Sequence, residues 1–386
     1  MSIKRISADY IYSPEGWKQQ HLLEVGSGGH ILGFRPLAPG DEYEFYPGLL
    51  CPGWVNAHCH LELSVLKGRI PQGTGMTGFI QALLRQRAGA TEAESRAAAA
   101  AAMDEAWQSG TVGMGDICNT ALTAPLKRTH ALRTHSFVEL LGLDATKAAE
   151  ILANGLDLLQ AFEGLPASLT LHAPYSVSEA LRHAVFNHSR ELLSIHLLES
   201  TQERELFAHG SGPFIDFYRQ MGIPFTPFPQ KDPAAYILHG LEPRPLLLVH
   251  NTEMQPQQIE ELMQRFPQLY VCLCPRSNQY IHRSFPHIEH FLPFSERVCL
   301  GTDSLASNHS LHILEEIRAI QQRFPAVNLH TLLQWASTNG AKALQWGTIF
   351  GIFAPDYRPG INWIDHIEIQ QEQPRLTPQS KLHKLA

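Results

Sequence analysis

Eight short apolar runs, each followed by polar residues or a helix-like stretch, fill the chain from about residue 50 to residue 304. They are LLCPGWVNAH, TVGMGDICN, RTHSFVELLG, SLTLHAPYS, LLSIHLLES, PLLLVHN, LYVCLCP and RVCLGTDS. Runs this short and this continuously apolar suit strands buried on both faces, which alternate with helices in parallel sheets. The stretches between them fit that alternation. TEAESRAAAAAAMDEAWQSG has a Thr/Glu start, an alanine-rich body and a Gly stop, and DATKAAEILANGLDLLQAF and SLHILEEIRAIQQRF also read as helices. The pattern predicts an α/β fold: a distorted (β/α)8 TIM barrel over residues 51–354. An open doubly wound sheet is the alternative, weakened because no G-x-G-x-x-G turn follows the early runs.

The two ends have a different texture. KRISADYIYS, HLLEVGSGGHILGF and DEYEFYPGLL read as short strands parted by Gly and Pro, and YRPGINWIDHIEI supplies one or two more. Residues 1–50 and 355–386 are therefore expected to join as a small β-sandwich domain. The polar tail QQEQPRLTPQSKLHKLA is expected to be loosely ordered.

An apolar share of 44% suits a soluble chain with a real core, and a net charge of −7 argues against a protein that grips a nucleic-acid backbone. No run of about 18 apolar residues suggests a membrane span, and MSIKRISADYIYSPEGW lacks the apolar centre of a secretion signal. The expected setting is the cytoplasm, with a small-molecule substrate, no nucleic-acid or membrane partner, and a homo-oligomer, taken as a dimer. The six cysteines are scattered over a long chain and read as free buried thiols. Cys272 and Cys274 share a strand face, but no second pair completes a thiolate zinc set.

Histidine is more telling, at 21 residues. His58, His60, His172, His196 with Glu199, His250 and Asp303 all stand at the ends of apolar runs, and a barrel gathers its strand C-termini at one mouth. A single strand-end histidine is more often structural, but five such ends in register would be five coincidences. His58 and His60, two apart on a strand, face the same side, with Cys59 turned outward. With His196 and Asp303 they offer three nitrogens and an oxygen, a set suited to Zn²⁺ with room for a water whose pKa would fall towards about 7. Glu199 would stand above the metal and shuttle a proton, although a solvated acid at a helix start is an equally local reading. His250 could polarise the attacked atom or the water, and Asp303 could both ligate and accept a proton. The fourth run carries no lysine that could bridge two metals, and Lys127 and Lys147, the only lysines between Gly68 and His196, lie in an apparent loop and helix start. One metal is expected.

PGWVNAHCHLE, HAPYSVS, HLLES, LVHNT and LGTDSLASN resemble the amidohydrolase superfamily, in its cytosine/adenosine-deaminase-like branch, over nearly the whole chain. The resemblance implies one divalent metal, zinc with iron(II) as the alternative, on His58, His60, His196 and Asp303. It implies that His250 orients the attacking oxygen or the substrate, that Glu199 protonates the ring nitrogen beside the attacked carbon, and that Asp303 takes the proton. His172 and Ser307, within HAPYS and GTDSLASN, are expected to touch the substrate. HCHLELSVLKGRIP, NTALTAP and GTDSLASNHSLHILEEI are similar, more narrowly, to deaminases of 6-amino-6-deoxyfutalosine in a menaquinone route. That substrate carries an aryl carboxylate and calls for a cation. Arg87 and Arg133 are the named candidates, with Arg69, Arg85 and Arg276 also available, and the role of Glu62 stays open. Hydrolysis of other C–N bonds, as in adenosine, S-adenosylhomocysteine, guanine, cytosine, triazines or cyclic amides, is the enzymatic alternative. A silent scaffold is the non-enzymatic one.

Overall fold

The computed structural model describes residues 3–386 and opens with four strands, β1 (Lys4–Ile11), β2 (His21–Val25), β3 (Ile31–Pro36) and β4 (Glu44–Pro52). Eight parallel strands follow: β5 (Trp54–Cys59), β6 (Thr111–Cys118), β7 (Arg133–Leu140), β8 (Ala167–Leu171), β9 (Leu193–Leu197), β10 (Leu246–His250), β11 (Leu269–Leu273) and β12 (Val298–Leu300). They coincide with the eight apolar runs. Four more, β13 (Ile361–Ile364), β14 (Ile367–Gln370), β15 (Gln373–Leu376) and β16 (Leu382–Lys384), complete the chain.

The barrel is two four-stranded halves, β5-β6-β7-β8 and β9-β10-β11-β12, joined at two seams. At the first seam side chains stand in for ladder bonds: the Ser194 N–H donates to Thr170 Oγ1 at 2.9 Å, and Ser168 Oγ donates to the Leu192 carbonyl at 2.7 Å. At the second, the amides of Thr302 and Asp303 both donate to the His58 carbonyl at 3.1 Å. Gly301 permits that approach. A Cβ there would lie 2.8 Å from Cys272 Sγ and 2.9 Å from the His58 Cβ. The open doubly wound sheet is thus excluded, because hydrogen bonds close both seams.

Helices α1 (Gly75–Arg87), α2 (Glu92–Gln108), α3 (Ala124–Thr129) and α4 (Ala148–Gln160) lie among the strands of the first half, α5 (Glu179–His188) at its border with the second, and α6 (Thr201–His209) after β9. The Thr/Glu start read from the sequence is a capping box: Thr91 accepts from the Glu94 N–H at 3.2 Å, and Glu94 accepts from the Thr91 N–H at 2.9 Å. Cys59 faces outward beneath α2, with Met103 and Ala106. Cys272, Cys274 and Cys299 pack with Leu247 and Val249 in one buried cluster, and all six cysteines are free and buried.

The terminal strands form one six-stranded sheet, ordered β16-β13-β4-β1-β2-β3, while β14 and β15 pair as a separate hairpin. The tail departs from its expected looseness. The Ile361 N–H donates to the Ala386 carbonyl at 3.0 Å, Arg318 grips the Thr377 and Ser380 carbonyls, and Leu376 is buried. Few apolar residues suffice there because backbone pairing supplies the order. Among the described residues no helix is long and apolar enough to cross a membrane.

Candidate metal centre and substrate cavity

His58 and His60, at the end of β5, turn the same way, and β9 and the residues after β12 bring His196 and Asp303 to them. His60 Nε2 lies 3.2 Å from His58 Nε2 and 3.3 Å from His196 Nε2. Asp303 Oδ1 lies 3.3 Å from His60 Nε2 and 3.6 Å from His58 Nε2. Ligands about 2.0–2.1 Å from a tetrahedral ion stand roughly 3.3–3.4 Å apart, so these four contacts have the spacing that a small divalent cation requires. The protonation states agree. Burial, opposed at His60 by Asp303 and reinforced at both by the neighbouring imidazoles, pushes His60 down to about 3 and His196 well below its ordinary value, so both are neutral, as a metal ligand must be. Burial works against the Asp303 anion, but the facing imidazoles of His58, His60 and His250 hold that carboxyl well below its usual range.

The supporting contacts fix these groups. His196 Nδ1 donates to the His172 carbonyl at 3.0 Å, which directs its Nε2 lone pair at the centre. Ser277 and Ser307 each donate to Asp303 Oδ2 at 2.6 Å, leaving Oδ1 for the ligand set. Ser307 therefore does not meet the expectation that it touches the substrate: it is fully buried, outside the cavity lining, and its partner is the aspartate.

Glu199 and His250 stand beside the ligand set, with Glu199 Oε1 3.6 Å from His250 Nε2. Burial pushes the Glu199 carboxyl up to about 7, with His250 opposing and Asp303 adding to the shift. A carboxyl there can both take and give a proton near neutral pH. Leu198, His250, Asn251 and Asp303 all have positive φ, at 49°, 70°, 53° and 55°. Non-glycine residues seldom adopt this conformation, and such strain gathers where function fixes side-chain direction.

A cavity of about 680 Å³ opens from this centre. His60, His172, His196, Glu199, His250 and Asp303 line its inner end, while Met76, Phe79, Ile80 and Leu83 of α1 face Ile151 and Leu158 of α4 farther out. Arg87 is the only arginine among the lining residues and lies 3.3 Å from Glu62 Oε2. Glu62 is buried and accepts from the Thr120 N–H and hydroxyl at 2.9 and 2.8 Å, so its role is to brace the loop after β6. Arg133 is displaced from its expected place. It opens β7 at the end remote from the mouth, with its guanidinium over the Trp346 ring. Arg69, Arg85 and Arg276 do not line the cavity, and Arg276 instead meets Ser310. Lys127 also differs from its reading: it lies within α3, fully buried, 2.5 Å from Asp116.

Sequence reading missed Ser277, Asn278, Asn119, Glu139 and His282. Asn278 lies 3.4 Å from His250 Nδ1, and Asn119 donates to Glu139 Oε2 at 3.1 Å. A signal existed for Glu139, the sole charged residue inside the apolar stretch FVELLG. None existed for His282, whose Nε2 comes to 3.9 Å of Glu199 from the C-terminal end of a helix.

Comparison with known proteins agrees with the motif resemblance. The sequence pattern of the amidohydrolase family matches residues 49–384. An adenosine deaminase of Helicobacter pylori is 30% identical over 312 residues, covering 78% of this chain and 75% of the relative. An aminodeoxyfutalosine deaminase of Deinococcus radiodurans is 28% identical over 385 residues, covering 93% and 90%. The crystal structure of Helicobacter pylori aminofutalosine deaminase with methylthio-coformycin superposes with a TM-score of 0.80 at 24% identity, covering 96% of this chain and 94% of that one. At that identity the superposition speaks for the fold. The chain belongs to the amidohydrolase family.

Proposed function

We propose that this amidohydrolase is a zinc-dependent deaminase that replaces the amino group of an aminopurine nucleoside by oxygen, with 6-amino-6-deoxyfutalosine as its substrate. The observation that carries the proposal is a four-donor set, with contacts of 3.2–3.6 Å, flanked by Glu199 and His250 at the inner end of a long cavity. When bound on His58, His60, His196 and Asp303, the zinc ion supplies Lewis acidity and acidifies water. The chain does the rest. Asp303, its outer oxygen held by two serines, is aligned to accept a proton from the attacking water. Glu199 carries a proton to the ring nitrogen beside the attacked carbon. His250 keeps its Nε2 towards Glu199 and the reacting centre, its other nitrogen turned to Asn278. The new C–O bond forms, the proton taken up by Asp303 passes to the amino nitrogen, the C–N bond breaks, and ammonia leaves.

The names of the Helicobacter and Deinococcus relatives support the adenosine-like class. For the narrower substrate, support comes from the apolar walls of α1 and α4, which suit an aryl group, and from Arg87, which suits its carboxylate. The test is an ammonia-release screen of zinc-loaded protein on adenosine, S-adenosylhomocysteine and aminodeoxyfutalosine, with a hydantoin-like ring and a triazine as contrast. The highest kcat/KM is expected on aminodeoxyfutalosine, and Glu199→Gln is expected to lose about 10²–10⁴ of it with zinc retained. Preference for the triazine or the cyclic amide, or full activity in Glu199→Gln, overturns the proposal.

A further inference from the structure

We infer that Glu139 is the acceptor for a sugar hydroxyl of the substrate and makes the cavity selective for ribonucleosides; the inference rests on the nucleoside reading above. Glu139 stands next to last in β7 and lines the cavity, yet it is only 7% exposed. Its two oxygens differ. Oε2 accepts from Asn119 Nδ2 at 3.1 Å, whereas Oε1 is buried without a hydrogen-bond partner among the described residues. A buried acceptor left unpaired is costly, so the arrangement calls for a donor from whatever fills the cavity.

The nearby donor is already committed. His196 Nδ1 is 3.6 Å from Glu139 Oε1 but bonds the His172 carbonyl at 3.0 Å. A cation is a poor occupant as well. Glu139, His172 and His196 bring ligand atoms within 4.8 Å of one another, but the two nitrogens of His196 serve the zinc set and the His172 carbonyl. Two remaining ligands are too few for a metal site of their own.

The chemistry of an aminopurine nucleoside narrows the choice. Its ring nitrogens N1, N3 and N7 are acceptors, and a carboxylate repels them. Its amino group belongs at the Glu199 and His250 end. The donors that remain are the sugar hydroxyls. His172 stands on the same side, its Nδ1 engaged by Ser176 Oγ at 2.6 Å, so the sugar would lie between His172 and the Asn119–Glu139 pair.

The test compares adenosine with 2′-deoxyadenosine and 3′-deoxyadenosine, in the zinc-loaded wild type and in Glu139→Gln. The wild type is expected to lose about 30-fold or more in kcat/KM on one of the two deoxynucleosides, which identifies the hydroxyl. In Glu139→Gln that ratio should shrink to within threefold, with the loss on adenosine carried by KM. The same comparison is made without turnover by calorimetric binding of inosine, 2′-deoxyinosine and 3′-deoxyinosine. Absence of ammonia from every nucleoside refutes the deaminase reading alone, because the binding series still judges Glu139. The inference is overturned if the wild type treats ribo- and deoxynucleosides alike, if Glu139→Gln discriminates as the wild type does, or if no inosine binds at millimolar concentration. Two zinc equivalents in the wild type that fall to one in Glu139→Gln would overturn it too. The wild-type comparison stands even if the variant does not fold.

Discussion

The two serines behind Asp303 allow the proposed ligand set to be perturbed without touching a ligand. Ser277 and Ser307 each lie 2.6 Å from Asp303 Oδ2 and 2.9 Å from one another. A hydroxyl has one proton, so when both donate to the carboxylate the contact between them is not a bond, and Ser304, 3.1 Å from Ser307, can donate to it instead. Hydrogen bonds this short to an anion are worth about 1.5–3 kcal/mol each. Losing a partner that orients a ligand typically weakens metal binding about 10–100-fold. Ser277→Ala and Ser307→Ala should each weaken zinc about tenfold, since the other serine still holds Oδ2. In the double variant a buried anionic oxygen has no donor, and the loss should exceed the product of the singles, reaching roughly 10³-fold. Chelator competition at fixed pH measures the affinities, and thermal melts of the metal-free proteins show whether the fold survives. A double variant that binds zinc within threefold of wild type, with an unchanged melt, would refute the account of how Asp303 is held.

Three further outcomes concern groups outside the candidate ligand set. Lys127 and Asp116 are both fully buried at 2.5 Å, and Asp116 also accepts from the Leu61 N–H at 2.8 Å, so Lys127→Met should cost about 3–5 kcal/mol in urea unfolding; an unchanged midpoint would rule this out. Burial, with Lys127 adding, pushes His135 down to about 4, below its unfolded value near 6.5. As pH falls the unfolded chain takes the proton first, so stability is intact above about 6.5 and lost between there and about 4; His135→Gln should flatten that limb, and parallel limbs in wild type and variant would count against it. Arg133 stacks on Trp346 at the remote end of β7, so Arg133→Ala should leave KM within twofold, and a tenfold rise would return it to the mouth.

The barrel was legible because its strands are buried on both faces and therefore read as unbroken apolar runs, from WVNAHC to VCL. The candidate ligand set was legible for the same reason: His58, His196 and Asp303 are polar residues that end such runs, and parallel strands bring those ends together. Ser307 and Arg133 were misassigned because sequence position does not tell which end of a strand, or which side of a turn, a side chain occupies. Ser277 and Asn278 were missed because they lie in an ordinary helical segment, Pro275–His282, whose first turn happens to abut Asp303 and His250. The tail misled for another reason. Its order comes from backbone pairing with β13 and from Arg318, neither of which is written in its own composition.

The strained residues at the strand ends show how fold and chemistry depend on each other. Leu198, His250 and Asp303 adopt positive φ of 49°, 70° and 55°, a conformation that costs of order 1–3 kcal/mol each and persists only when the surroundings impose it. The constraint comes from neighbouring strands. The Glu253 N–H donates to the Leu198 carbonyl at 2.8 Å and the Asn251 N–H to the Leu197 carbonyl at 3.0 Å, tying the end of β10 to that of β9. The Asp303 N–H donates to the His58 carbonyl across the closing seam, joining one candidate ligand to another through the backbone. On the far side of the Leu198 turn, fully buried Glu203 accepts the Glu199 N–H at 3.0 Å and fixes where that carboxylate departs from the chain. His250 and Asp303 are thus aimed through bonds between adjacent strands and Glu199 through Glu203 of α6, and the candidate site is complete only once the two half-barrels have met. The seam between β12 and β5 is therefore part of the candidate metal centre itself.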